Sequence, residues 1–256
     1  MNKVIAGMIF SGLFFISGSA FSSAESFSNL MTKGDNAFSR FDHHTAEDCY
    51  RQALELQPDN YEAAWKNARA LVDLGDMTKN DDQRRGLYLK AENSARLAVA
   101  DQTNGSKGHL FLSIAIGKVA LDEGPKERVR LSKEVKFEVD KALALDPQDD
   151  TAWHVLGRWN RRLATLSWIE KKFADIFLGG VPKDASVERA AECFEKAIEL
   201  NPGHILHHLE LALTLEELND REGALREYVK VLALPIQEPK DRQSKLTAGE
   251  HREKLL

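Results

Sequence analysis

Apolar residues recur along this chain every three to four positions, which is the period of an amphipathic α-helix. No stretch shows the strict alternation that marks a strand. Four segments also end in the same way, with a small residue, a pair of aliphatic residues and a final proline, which cannot continue a helix. These segments are Ala53–Pro58, Ala142–Pro147, Ala197–Pro202 and, in a degraded form, Val231–Pro235. The pattern predicts an all-α protein built from helix pairs.

The segment around Trp153 adds a recognisable spacing to this pattern. It fits six of the seven anchor columns of a tetratricopeptide repeat (TPR), with Asn160 at the remaining one, where tyrosine is expected. In a 34-residue repeat the Gly column precedes the Ala column by about 12 residues, so about 21 residues have been inserted between Gly157 and Ala190. The matching residues are Trp153, Leu156, Gly157, Ala190, Phe194 and Pro202.

Five such units follow one another between residues 27 and 235. We therefore predict a TPR-like solenoid of about five helix hairpins; a globular helix bundle is the alternative. The second and third units carry extra residues around Asp76–Gly86 and Asp122–Glu127. Residues 236–256 are polar, and they form either a capping helix or a tail.

The insertion in the fourth unit has a helical pattern of its own. Ile169, Phe173 and Ile176 fall on one helix face, and Asp184 or Ser186 can cap the helix that follows. We predict an inserted helical segment here. Trp168 and Trp159 have apolar neighbours, and we expect both rings to lie in the core.

Residues 1–24 have the composition of a secretory signal peptide. Lys3 precedes an apolar run at residues 4–16, and small residues provide cleavage sites after Ala20 and Ala24. The run is shorter than the roughly 20 residues that a membrane helix needs. We expect a secreted or periplasmic protein; the alternative is a membrane-anchored protein with residues 4–16 uncleaved.

The first helix of each TPR hairpin lines a concave groove. Counting from the Trp column of each unit gives the inward-facing positions. We predict that the ligand groove contains Trp65 and Arg69, Leu110, Ile114 and Lys118, His154, Arg158, Arg161 and Arg162, and Leu209 and Leu213.

The fourth unit supplies a basic face to this groove. Arginine presents a planar fork that suits carboxylates and phosphates, and the flanking apolar residues suit an acyl tail or peptide side chains. One interpretation is a site for an anionic amphiphile or an acidic peptide segment. The other is that the arginines pair with acidic side chains of the next helix, such as Glu216 and Glu217.

Other chemistry finds little support in the sequence. A net charge of −5 gives no basic excess for nucleic acid, and no catalytic or phosphate-binding motif appears, so we expect neither an enzyme nor a cofactor. His204 and His208 have a chelating spacing, but no cluster of further ligands accompanies them, and we predict no metal site. Cys49 and Cys193 occupy equivalent positions three units apart, which is too far for a disulfide, so we expect two buried free thiols.

The fourth unit also resembles a known family. Leu156–Trp159, Leu166–Lys172 and Glu188–Pro202 are similar to the signature of the regulator of microtubule dynamics family. The resemblance implies a non-enzymatic helical-repeat protein, and from the groove we expect a protein or peptide partner. Its animal members associate with microtubules or tether mitochondria to other membranes.

The export-type N-terminus departs from those intracellular members. We therefore expect this chain to be a bacterial-type exported relative of the family. As its function we expect a scaffold that binds a protein segment or an anionic amphiphile, which includes a lipid. A membrane-anchored tether with a lipid-binding head is the alternative function.

Overall fold

The computed structural model describes residues 18–166, 171–172 and 185–256, with side chains described from residue 26 onward. This part of the chain forms eleven helices. The connections between them are short, except that between α7 and α8, most of which lies outside the described residues. They are α1 (Gly18–Phe38), α2 (His43–Leu56), α3 (Tyr61–Met77), α4 (Asp81–Asp101), α5 (Ser106–Leu121), α6 (Pro125–Leu145), α7 (Asp150–Ala164), α8 (Val187–Leu200), α9 (Ile205–Glu217), α10 (Arg221–Ala233) and α11 (Asp241–Leu255).

The first ten helices pair in chain order as five hairpins, and each hairpin packs on the next. The second helix of one hairpin contacts the first helix of the following one, as α2 contacts α3 and α4 contacts α5. Helix α11 packs on α10 and α9 at the C-terminal end. This nearest-neighbour arrangement confirms the predicted TPR-like solenoid of five hairpins and excludes the globular bundle.

The extra residues of the second and third units lengthen their helices. Helices α4 and α6 each contain 21 residues, whereas α2 and α8 each contain 14. The turns stay short because α3 extends to Met77 and α6 starts at Pro125, where a missing N–H is harmless. The added residues therefore enlarge the packed surface instead of forming loops.

Side-chain caps fix most of the helix starts. An Asp, Asn or Ser before the helix accepts a hydrogen bond from the backbone N–H three residues later, which satisfies a donor that has no partner within the helix. Ser186 caps α8 in this way, with its Oγ 3.1 Å from the backbone nitrogen of Arg189. It is one of the two capping residues that the sequence predicted for this helix. The other capping residues are Asp42, Asn60, Asn80, Asp149 and Asp220.

Some predictions fall beyond the described residues. Apart from residues 171 and 172, the inserted helical segment predicted around Ile169, Phe173 and Ile176 lies outside them, as do Trp168 and the apolar run at residues 4–16. Among the helices that the structure does describe, none combines the length and apolar character needed to cross a bilayer. Both cysteines are free and buried, as predicted, and the Trp159 ring is buried in the core.

Glycine and aromatic residues set the spacing within three hairpins. A Cβ added at Gly34 would lie 2.6 Å from the Tyr50 ring, and at Gly157 it would lie 2.7 Å from Cε1 of Phe194. Gly75 has the same relation to Tyr88. Such distances are shorter than any real carbon–carbon contact, so only glycine lets the two helices approach this closely.

We predict that Gly157→Ala lowers the free energy of unfolding by about 1–3 kcal/mol, because the fully buried Phe194 ring has no room to move. Urea denaturation followed by circular dichroism measures this. Gly86→Ala is the matched control, since nothing lies within 4 Å of a Cβ at Gly86. There the better helix propensity of alanine should raise stability by about 0.5–1 kcal/mol. Equal effects at the two positions would contradict the spacing argument.

A candidate binding site on the concave face

The first helices of successive hairpins lie side by side. Helix α3 contacts α5, α5 contacts α7, and α7 contacts α9. In the part of the chain that the structure describes, the second helices make no comparable contacts with one another. Closer packing on one side bends the stack, so the first helices line the concave face.

A cavity of about 450 Å³ opens where α5, α6 and α7 meet. Five predicted groove residues line it together: Ile114, Lys118, Arg158, Arg161 and Arg162. The volume lies within the range of small-ligand sites. Further apolar walls come from Val135, Val155, Trp159, Leu163 and Leu166.

Positive charge dominates the polar lining of this cavity. Lys118 and the three predicted arginines are joined there by Arg128, whereas Glu217 is the one carboxylate among the described lining residues. Sequence counting missed Arg128 because it lies on the second helix of its hairpin. An apolar cavity with this surplus of cations is suited to a ligand that joins an apolar part to an anionic group.

Arg161 is held by the next hairpin. Its guanidinium forms an ion pair with Glu210 on α9, and Nη1 also donates to Oγ1 of Thr214 at 3.2 Å. Nε of Arg161 lies 3.9 Å from Glu217, one of the two carboxylates expected as partners. Arg161 therefore pairs with acidic side chains of the next hairpin, as the second interpretation of the sequence expected, although its main partner is Glu210.

Glu216 does not take part in this pairing. It accepts hydrogen bonds from Tyr228 and His251 instead, on the side facing α10 and α11. That side of α9 packs on its own hairpin and lies away from the groove. The sequence expectation that Glu216 pairs with the arginines was therefore wrong.

Arg158 and Arg162 remain accessible. Half of the Arg158 side chain is exposed, and its Nε lies 3.7 Å from Glu210, which is already engaged by Arg161. Arg162 is exposed and has no ion-pair partner among the residues described. Lys118 pairs with Asp76, and burial lowers the pKa of Lys118. Arg158 and Arg162 are thus the cations best placed to meet a ligand.

Three predicted groove residues are buried and do not line the groove. His154, Leu110 and Leu209 occupy equivalent positions, one residue after the Trp column, and each is at most 6% exposed. In this stack that position points into the junction with neighbouring helices. His154 lies against His207 on α9, and Leu110 packs against Val139. Leu213, half-buried, packs with the core of the fifth hairpin.

Trp65 and Arg69 lie apart from the cavity. The Trp65 ring stacks on Phe111 with centroids 5.7 Å apart, and the Arg69 guanidinium lies 3.6 Å above the Phe38 ring. They form an aromatic and cationic array across the first three hairpins. The predicted groove residues outside the packed interfaces thus fall into two separate groups, one at this array and one at the cavity.

The buried histidines form contacts with side chains and carbonyl groups of neighbouring elements. The structure shows no group of three or more metal-ligating side chains within the described ranges that has the geometry of a metal site. His208 contacts Glu227 through Nδ1 at 2.6 Å and the carbonyl of Pro202 through Nε2 at 3.0 Å. Burial raises the pKa of the Cys193 thiol to about 11, which makes it a poor nucleophile at neutral pH.

Comparison with known proteins shows sequence similarity to one family. The sequence profile described as "Regulator of microtubule dynamics protein 1-3" matches residues 30–256. Regulator of microtubule dynamics protein 3 of Rattus norvegicus is 33% identical over 139 residues, which is 54% of this chain and 29% of that protein. Regulator of microtubule dynamics protein 1 of Mus musculus is 26% identical over 196 residues, 76% of this chain and 64% of that protein. The chain therefore spans less than two thirds of these relatives.

Solved structures agree on the fold. A thermophilic TPR protein of Thermus thermophilus superposes with a TM-score of 0.65 at 18% identity, covering 88% of this chain and 97% of that one. PilF of Pseudomonas aeruginosa superposes with a TM-score of 0.55 at 17% identity, covering 91% and 93%. At these identities the likeness concerns the fold alone.

The Arg161–Glu210 contact generates a prediction about stability. Glu210→Ala should lower the free energy of unfolding by about 2–3 kcal/mol, because it leaves the largely buried Arg161 without its main carboxylate. Urea denaturation at pH 7 tests this. Glu222→Ala is the control: Glu222 is 91% exposed and pairs with Arg226 on the surface, so its loss should be barely measurable. A similar loss in both variants would show that the Arg161 contact is unimportant.

Proposed function

This chain belongs to the regulator of microtubule dynamics family, and on that basis we propose that it is a non-catalytic scaffold whose concave face binds a segment of another protein or an anionic amphiphile. The observation that carries the proposal is the cavity between α5, α6 and α7, where apolar walls meet accessible cations. The TPR-like fold supports the protein-binding part. Stacked hairpins present an extended concave surface of the kind that such repeats use for binding.

The chemistry of the cavity favours a ligand with an anionic end. Arg158 and Arg162 offer two guanidinium groups for carboxylate or phosphate oxygens at the rim. Trp159, Leu163 and Leu166 form an apolar wall beneath them. A fatty acyl chain and an apolar peptide side chain next to an acidic one both satisfy this arrangement, so the experiment has to separate them.

We further propose that the protein is exported. Residues 1–24 have the pattern of a signal peptide, and among the described side chains Phe27 is the first that packs in the core of the first hairpin. Cleavage after Ala20 or Ala24 therefore leaves that described core in place, although both sites lie in α1 of the uncleaved chain. An exported protein does not meet microtubules, so the proposal does not include them.

The alternative is a membrane-anchored tether with residues 4–16 as an uncleaved anchor. N-terminal sequencing of the protein isolated from expressing cells decides between the two. We expect a start at Phe21 or Glu25; a start at Met1 in a membrane fraction would support the anchor and overturn export.

Replacing Arg158 and Arg162 together with Glu should weaken binding of an anionic ligand at least about tenfold, since each arginine contributes a charge-assisted contact. Arg161 is left intact because it holds the fifth hairpin. The probes are dansyl-undecanoic acid, followed by its fluorescence, and fluorescein-labelled acidic peptides, followed by anisotropy.

A double variant with the same charge change provides the control. Arg40→Glu with Arg226→Glu alters two exposed arginines away from the cavity and should leave binding unchanged. Circular dichroism checks that both proteins keep their helices. Binding of the dansyl probe alone favours an amphiphile, and binding of peptides alone favours a protein segment. Failure of both probes with the unaltered protein, or equal weakening in both variants, would refute the assignment of the cavity.

A further inference from the structure

We propose that the junction between the fourth and fifth hairpins is an acid-sensitive contact, held closed by the buried histidine pair His154 and His207 and opened when the pair and its neighbour His204 are protonated. The proposal does not depend on what the cavity binds. It rests on the arrangement of two buried imidazole rings and a third, His204, whose side chain is 30% exposed but whose Nδ1 is buried.

The pair joins α7 to α9 directly. Nδ1 of His154 lies 2.9 Å from Nδ1 of His207, and the two residues are 6% and 1% exposed. Nε2 of His207 lies 2.8 Å from Oδ2 of Asp150. A carboxylate only accepts, so His207 donates through Nε2. When both rings are neutral, Nδ1 of His207 accepts from Nδ1–H of His154.

A third ring adjoins the pair. His204 stacks on His207 with centroids 4.2 Å apart, and Nδ1 of His204 is buried without a hydrogen-bond partner. Burial, and then the neighbouring His207, lower the pKa of His204 to about 4. Burial also lowers the pKa of His154 well below its ordinary value.

The charged groups around the rings come from each element packed there. Helix α7 contributes Asp150 and Arg158, and α9 contributes Glu210, which is engaged by Arg161. The segment before α11 contributes Glu238, 3.9 Å from Nε2 of His204, and Lys240, 3.2 Å from Glu238; Asp241 begins α11. Helix α8 presents Phe194, which is apolar. Asp150 is therefore the one carboxylate in hydrogen-bond contact with the rings in the described structure.

This environment accommodates one added proton but not three. If His207 is protonated, its Nε2–H donates to Asp150 and its Nδ1–H donates to His154, which changes tautomer. A second or third proton places another cation beside that imidazolium. In the described structure His154 has no carboxylate in contact, and the nearest one to His204 is Glu238, 3.9 Å from its Nε2. The unfolded or undocked chain binds all three protons near pH 6.5. The closed junction thus binds up to two protons fewer than the undocked or unfolded chain does.

Two other buried histidines show the contrasting arrangement. His109 and His208 each place Nδ1 against a carboxylate and Nε2 against a backbone carbonyl. An imidazolium at either position has an oxygen acceptor for both N–H groups. Neither ring is placed against a second imidazole, so this feature belongs to the junction between hairpins four and five.

The sign of the effect follows from the lowered pKa values. Because the folded pKa values of His154 and His204 lie below 6.5, their stabilising effect is complete above pH 6.5 and is lost as the pH falls toward 4. A deficit of two protons lowers the equilibrium constant for closing by up to about 100-fold per pH unit.

The test compares urea unfolding of the unaltered protein and of His154→Gln between pH 7 and pH 4.5. Glutamine still hydrogen-bonds to His207 but does not titrate, so the deficit falls from two protons to one. For each unit by which the pH falls, the equilibrium constant for folding should then decrease by a factor about ten times smaller in the variant than in the unaltered protein. His44→Gln, the same replacement at an exposed histidine, should keep the slope of the unaltered protein. Parallel slopes for His154→Gln and the unaltered protein would overturn the proposal.

Hydrogen–deuterium exchange measured by mass spectrometry locates the opening. With labelling times scaled for the intrinsic effect of pH, we expect α9, α10 and α11 to lose protection at pH 5 while α3 to α6 keep it. Uniform loss, or loss that begins in the first hairpin, would contradict the proposal. If His154→Gln does not fold, His204→Gln also removes one titrating ring and should reduce the slope by the same amount.

Discussion

The close approach of a glycine to an aromatic ring within the first, second and fourth hairpins is the contact on which the packing of these hairpins depends. In the first and second hairpins the ring belongs to Tyr50 or Tyr88, and the short distance that Gly34 or Gly75 permits lets its hydroxyl reach across to the first helix. There it donates to the residue that follows the glycine, Asp35 at 2.7 Å or Asp76 at 2.6 Å. Burial and the carboxylate both raise the pKa of these tyrosines, so the donor stays protonated.

The same carboxylates join one hairpin to the next. Asp35 accepts a second contact from Lys66 on α3 at 2.8 Å, and Asp76 accepts one from Lys118 on α5. In the fifth hairpin the carboxylate of Glu216 accepts a hydrogen bond from the hydroxyl of Tyr228, and Nδ1 of His251 on α11 lies 2.9 Å from it. A tyrosine, an acid and a basic side chain of the following element thus form a repeated link. The internal packing of a hairpin and its attachment to the next element are properties of the same three residues.

The sequence predicted the fold well because the repeat depends on local features: helix period, terminal prolines and caps. The site was harder to predict because it depends on how neighbouring helices are rotated. Counting from the Trp column placed Arg158 and Arg162 at the cavity correctly, but it also placed His154 there, which faces α9. Nothing in the linear pattern identifies Glu210 as the partner of Arg161, since the two lie 49 residues apart.

The third and fourth hairpins both lack the repeated link, and the cavity lies where they meet. In the third, Gly117 faces Val135 and is followed by Lys118. In the fourth, the aromatic residue is Phe194, which has no hydroxyl, and the residue after Gly157 is Arg158 instead of an acid. The charges between this hairpin and the next are therefore reversed, with arginines on α7 and Glu210 on α9. Because Glu210 is engaged mainly by Arg161, Arg158 and Arg162 are left with little or no neutralising charge among the described residues. The place where the link of the first, second and fifth hairpins is missing is where a functional site is expected in a repeat protein, since stability alone would favour the common link.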